Sequence, residues 1–120
     1  MPVPSNPRKA AYAATYRSQL ESLGNLTKEE IEELVTLEMY SDLVSVEDQV
    51  RRWVLRLKAE YPDAALKLVE QTTPILARGV NGIEDVKKLC IVIRLFVNGF
   101  TIGYEGRSYT ASSLGQVRVL

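Results

Sequence analysis

Histidine is missing from this 120-residue chain, and cysteine occurs once. Without histidine neither a Ser-His-Asp nor a Cys-His catalytic site can be assembled, and a His-ligated or cysteine-rich metal centre is excluded with them. A single thiol closes no internal disulfide, so nothing in the sequence calls for an oxidising compartment. Net charge is lacking too. The 15 Lys and Arg cancel the 15 Asp and Glu, which removes the simplest electrostatic argument for a nucleic acid or an anionic membrane. The longest nearly apolar run, 89–97, is interrupted by Arg94 and falls far short of the roughly 20 residues of a membrane-spanning helix. Gly99, Gly103 and Gly106 read as turn and strand glycines, and no glycine-rich phosphate loop occurs.

What remains has the balance of a folded globular chain, 46% apolar and 25% charged, and the length suits one domain. Residues 1–7, Met1-Pro2-Val3-Pro4-Ser5-Asn6-Pro7, carry three prolines. These remove backbone donors and disfavour helix, so an extended tail is expected. No apolar stretch of a secretory signal follows, which makes the cytoplasm the expected location. Residues 8–120 are expected to form a single helical domain.

Helical spacing recurs along most of the chain. Over 8–23, Tyr12, Tyr16, Leu20 and Leu23 share a register among alanines, and Gly24-Asn25 supplies a stop. Thr27 followed by Glu30 is a capping box for a second helix reaching about Leu43, with Ile31, Leu34, Val35 and Met39 inward. Ser45 and Asp48 mark a third start, after which Val46, Val50, Trp53, Val54, Leu57 and Tyr61 trace an inward face; Glu47, Asp48, Arg51, Arg52, Arg56 and Lys58 form the other. Pro62 opens a fourth helix with Leu66, Val69 and Leu76 inward, which kinks at Pro74 or ends near Thr73. Asn81 with Glu84 offers a further capping box. The β-branched 91–93 and the Asn98-Gly99 dipeptide leave helix and strand both open for 89–97. A helix there would be apolar nearly all round and central to the core. Beyond it, residues flanking Glu105-Gly106 have hairpin spacing, and 116–120 alternate like a strand. The expected fold is mainly α: a compact bundle of four to five helices with a C-terminal β-hairpin at about 100–120.

The functional candidates are few. Arg51, Arg52, Arg56 and Lys58 can gather guanidinium forks and an ammonium on one surface, suited to phosphate or to an acidic protein partner. The same groups could equally form a solvated helix face. Residues 27–49 hold eight acids against one lysine, whereas 50–58 hold four basic groups and no acid. These opposite charges either neutralise each other within the molecule or meet between molecules as an assembly. Arg94, set in an apolar stretch, would need a partner if buried, at the floor of a cleft or under an interface, or would reach the surface. Tyr104 and Tyr109 flank the Glu105-Gly106 turn and could pair across it, or serve an interface. Glu29, Glu30, Glu32 and Glu33 could do acid–base work only if buried, and Cys90 reads as a buried, inert thiol. We therefore expect no catalytic residues, no cofactor and no metal. The expected function is a non-enzymatic protein–protein interaction module (an adaptor, regulator or assembly component), with self-association. The second expectation, of a different class, is a nucleic-acid-binding regulator using the basic face of the third helix.

Overall fold

The computed structural model describes residues 7–39, 45–97 and 100–109. Five helices account for most of them: α1 (Pro7–Leu23), α2 (Lys28–Met39), α3 (Val46–Glu60), α4 (Pro62–Arg78) and α5 (Gly82–Phe96). Local chemistry sets their ends. Gly24, at φ +72°, takes the left-handed conformation that ends α1 at little steric cost. Thr27 and Glu30 close the expected capping box, the Glu30 N–H donating to Thr27 Oγ1 at 3.1 Å and the Thr27 N–H to Glu30 Oε1 at 3.0 Å. The Asp48 N–H donates to Ser45 Oγ at the start of α3. Pro62 occupies the first turn of α4, where its missing N–H would have had no intrahelical acceptor.

Helix α4 neither stops near Thr73 nor breaks at Pro74; it continues to Arg78. Pro74 and Glu70 both lie on the exposed side, where water can serve the carbonyl that the proline leaves without a donor. The segment 89–97, open between helix and strand, is helical through Phe96. Its start differs from expectation. Asn81 makes no side-chain cap, and the acid at the entry of α5 is Asp85 rather than Glu84: the Asn81 N–H donates to Asp85 Oδ2 at 2.8 Å.

After α5, Ile102–Tyr104 (β1) and Arg107–Tyr109 (β2) run antiparallel, with Ile102 opposite Tyr109 and Tyr104 opposite Arg107. The expected end of the second helix at Leu43, the Asn98-Gly99 closure, the strand over 116–120 and the tail over 1–6 lie outside the described residues.

Helix α3 organises the interior because it is buried on two sides. Val46, Val50, Trp53, Val54 and Leu57 join Ala65, Leu68 and Ile75 of α4, Val86, Leu89, Cys90 and Ile93 of α5, and Phe100 and Ile102. Leu55 and Ala59 face the other way, into a second cluster with Ala13 and Leu20 of α1 and Ile31, Leu34, Val35, Leu37 and Met39 of α2. The single inward stripe expected for α3 is therefore half of the story, and Arg52, expected on the polar face, is buried.

Other inward assignments are corrected. Tyr61, expected on the inward face of α3, is exposed where α3 ends and the chain turns into α4. On α4 the buried positions are Ala65, Leu68, Thr72 and Ile75, while Leu66 and Val69 face solvent. Helix α5 is not buried all round, since Lys88, Arg94 and Leu95 are exposed.

Candidate functional site: an ion-paired helix seam and an apolar groove

The basic residues of α3 meet the acidic residues of α2 within one molecule. Arg51 Nε and Nη2 donate to Glu33 Oε1 and Oε2 at 2.9 and 3.1 Å, and Lys58 Nζ donates to Glu30 Oε2 at 2.7 Å. The Lys58 ammonium, followed by the Thr27 N–H, holds the Glu30 carboxyl below its usual pKa. Arg17 of α1 adds a two-pronged contact to Glu32 at 2.9 and 3.0 Å.

Glu38 sits between two arginines. Its Oε1 lies 3.5 Å from Arg56 Nε and 3.9 Å from Arg52 Nε. Both guanidinium groups also approach the Trp53 ring, at 4.4 Å for Arg56 and 5.1 Å for Arg52 from its centroid, the arrangement that lets a cation use the negative face of an indole. The four basic residues of α3 are thus distributed around α2 and Trp53 and do not form one exposed basic surface. Glu29 and Glu33 are exposed, and Glu30 and Glu32 are half-buried and paired with cations.

The remaining candidates are placed as follows. Arg94 is exposed near the end of α5. Tyr104 lies opposite Arg107 rather than Tyr109; the two tyrosines are diagonal neighbours on the face that carries buried Ile102, and both pack against the main core. Cys90 is fully buried, and burial pushes its thiol up to about 11. Among the described residues no cluster of acidic or cysteine side chains is placed to hold a metal ion, and no helix is long and apolar enough to cross a membrane.

Where the seam ends, a groove begins. Helices α1 and α2 belong to one cluster, α4 and α5 to the other, and α3 is shared. Between the C-terminal halves of α1 and α5, the last turns of α3 are left partly uncovered, and a groove of about 650 Å³ opens there. It is lined by Tyr16, Leu20 and Leu23 of α1, Leu57 and Ala59 of α3, Tyr61, Phe96 and Val97, and on its polar side by Gln19, Ser22, Arg56 and Glu60. Tyr61 is 63% exposed and Leu23 45% exposed. Burial first, and then the Glu38 carboxylate, raise the Tyr16 hydroxyl to about 12, so it stays protonated and able to donate at physiological pH.

No family model, curated protein or solved structure matches this chain. The groove therefore stands on its own geometry. Spacing within single helices does not gather these residues, because they come from three helix ends. One signal was available. A residue directly before proline is disfavoured in helix, so the stripe is not carried from Leu57 to Tyr61, which caps α3 at φ −135°.

Proposed function

We propose that this chain is a non-enzymatic protein–protein interaction module, a single helical domain closed by a C-terminal hairpin and working in the cytoplasm, and that its contact surface is the groove between α1, the end of α3 and the end of α5. The observation that carries this reading is the exposure of Tyr61 and Leu23 at a groove of mixed polar and apolar lining. Aromatic residues are enriched at the buried centres of protein interfaces, and an exposed apolar concavity is where a partner gains most by excluding water. The volume is in the range of sites that take a compact apolar group or a few side chains of a docking helix.

The ion pairs between α2 and α3 support the groove over the basic face. Arg51 and Lys58 already have carboxylate partners, so engaging phosphate there would require breaking them. No observation favours the nucleic-acid reading.

The test is a nuclear magnetic resonance titration of labelled protein with a short amphipathic helical peptide carrying leucine and phenylalanine anchors at i, i+3 and i+7. Shifts centred on Leu23, Leu57, Tyr61 and Phe96 are expected, and Leu23→Asp should abolish them. Unchanged spectra at millimolar peptide would overturn the reading.

A further inference from the structure

The two apolar clusters share no residue, and the helix pair α1–α2 belongs wholly to one of them. Its apolar attachment to the rest of the fold is narrow. Among the described residues of α3, the main cluster takes Val46, Val50, Trp53, Val54 and Leu57, whereas the cluster under α1 and α2 takes Leu55 and Ala59 alone. The polar ties run to the same helix: Arg51 to Glu33, Lys58 to Glu30, and both Arg52 and Arg56 to Glu38. Asn25, between α1 and α2, donates its side-chain N–H to the Ala59 carbonyl at 2.7 Å. Among the described residues, no buried side chain of α1 or α2 joins the cluster that holds α4, α5 and β1. The two helices are joined to each other more fully, by Leu20, Ile31 and Leu34 and by the Arg17–Glu32 fork.

We propose that α1 and α2 form a lid latched to α3 by the charged seam, and that the lid lifts as one unit while α3, α4, α5 and the β-hairpin stay folded. Parts of a protein open separately when little holds each to its neighbours. Here the lid rests on two apolar side chains and a row of ion pairs, and pairs with exposed members contribute little each. Helix α3 stays behind because its other face carries the larger apolar contact. The lid regulates the proposed contact surface, and in that role it rests on the groove reading. Tyr16, Leu20 and Leu23 of the groove lie on the lid, and Leu57, Phe96 and Val97 on the body. The groove therefore exists only while the lid is shut, and a partner lying across both walls holds it down.

The experiment is backbone amide hydrogen exchange on the full chain, followed by nuclear magnetic resonance under conditions where exchange reports the opening equilibrium. Helices of 17 and 12 residues are marginal in water without packing, so a lifted lid exchanges its amides. Those of α1 and α2 should share one opening constant, larger by about tenfold or more than that of Leu89, Cys90 and Ile93 in α5. Ile93→Val loosens the body alone. It should speed exchange in α5 by roughly fivefold and leave α1 and α2 unchanged, because the body is still folded when the lid lifts. Arg51→Glu combined with Lys58→Glu sets like charges against Glu33 and Glu30, at positions that do not line the groove. It should speed exchange in α1 and α2 by roughly tenfold, the size of two exposed ion pairs. Should that double variant fail to fold, the wild type and Ile93→Val decide alone. Equal protection in α1, α2 and α5 overturns the proposal, as does an Ile93→Val effect that reaches α1 and α2 in full, or a folded double variant with unchanged exchange. A lid that opens in a protein indifferent to the helical peptide stands without the groove reading; a peptide bound by a protein that opens only as a whole leaves the groove and removes the lid.

Discussion

Asp85 holds three hydrogen bonds at once. Arg78 Nη1 and Nη2 donate to its two oxygens at 2.7 and 2.6 Å, and the Asn81 N–H donates at 2.8 Å. The Arg78 guanidinium, then the Asn81 N–H, bring the carboxyl from 3.8 to about 2. A carboxyl whose pKa is lower folded than unfolded contributes stability that is complete above the unfolded value and is lost as the pH falls through the folded one. Asp85→Asn should therefore lower the melting temperature at pH 7 and flatten its decline between about pH 4 and pH 2, where the wild-type carboxyl releases its contribution. Thermal melts across that range decide it; parallel curves for the two proteins would show that Asp85 does not act through its charge. Cys90 gives a second prediction at this scale. A fully buried thiol pushed up to about 11 should react with a disulfide reagent at pH 7 many times more slowly than the unfolded chain, and equal rates in buffer and denaturant would contradict it. That Cys90 would be inert was readable from its apolar neighbours. Asp85 was not, because two acids stand side by side at 84 and 85, and only the packing of Arg78 beside the start of α5 chooses between them.

Among the elements, α3 has the largest consequences. Leu55 is fully buried in the α1–α2 cluster and Leu57 is buried in the α4–α5 cluster, so truncating either should cost about 2–5 kcal/mol. Urea unfolding of Leu55→Ala and Leu57→Ala measures this, and a Leu55→Ala cost below about 1 kcal/mol would mean the second face is not packed. Gln49 joins α3 to β1. Its Nε2 donates to the Gly103 carbonyl at 2.9 Å while its Oε1 accepts the Gly103 N–H, so a side-chain amide stands in for a neighbouring strand. Gln49→Ala leaves both groups of Gly103 without this partner, at about 1–3 kcal/mol for each that stays out of water. Faster hydrogen exchange at Gly103, with α1 and α2 unaffected, is the expected signature. A Cβ at Gly103 would come within 3.3 Å of Gln49 Nε2, so the amide would have to give by a few tenths of an ångström. Helix starts were legible because capping is local, as at Thr27 and Ser45. Stripe assignments failed on α4, because helical periodicity gives a spacing and two registers of similar apolarity, Leu66–Val69 and Leu68–Ile75, compete for the core.

For the whole molecule, the opposed charges of α2 and α3 act mainly inside one chain. Exposed pairs contribute little each, about 0–1 kcal/mol, and Arg51–Glu33, with both side chains more than 40% exposed, is such a pair. Arg51→Glu should destabilise slightly, and the added Glu33→Arg exchange should bring stability back to within about 0.5 kcal/mol of wild type; a double variant no better than the single one would show that the pairing is incidental. With those charges engaged, the surface proposed for a partner is the groove beside Tyr61. The sequence by itself determined that histidine-based sites and an internal disulfide are absent, and it located four of the five helices and most of their starts, because composition and capping are properties of a few neighbouring residues. It also placed opposite charges on adjacent helices, and only the structure decided that they meet within one molecule. Only the tertiary structure decided that α3 would be buried on both sides, that Arg52 would lie over Trp53, and that α1 and α5 would leave a gap along its last turns. Those outcomes depend on which faces of distant helices meet, and no local pattern carries that information.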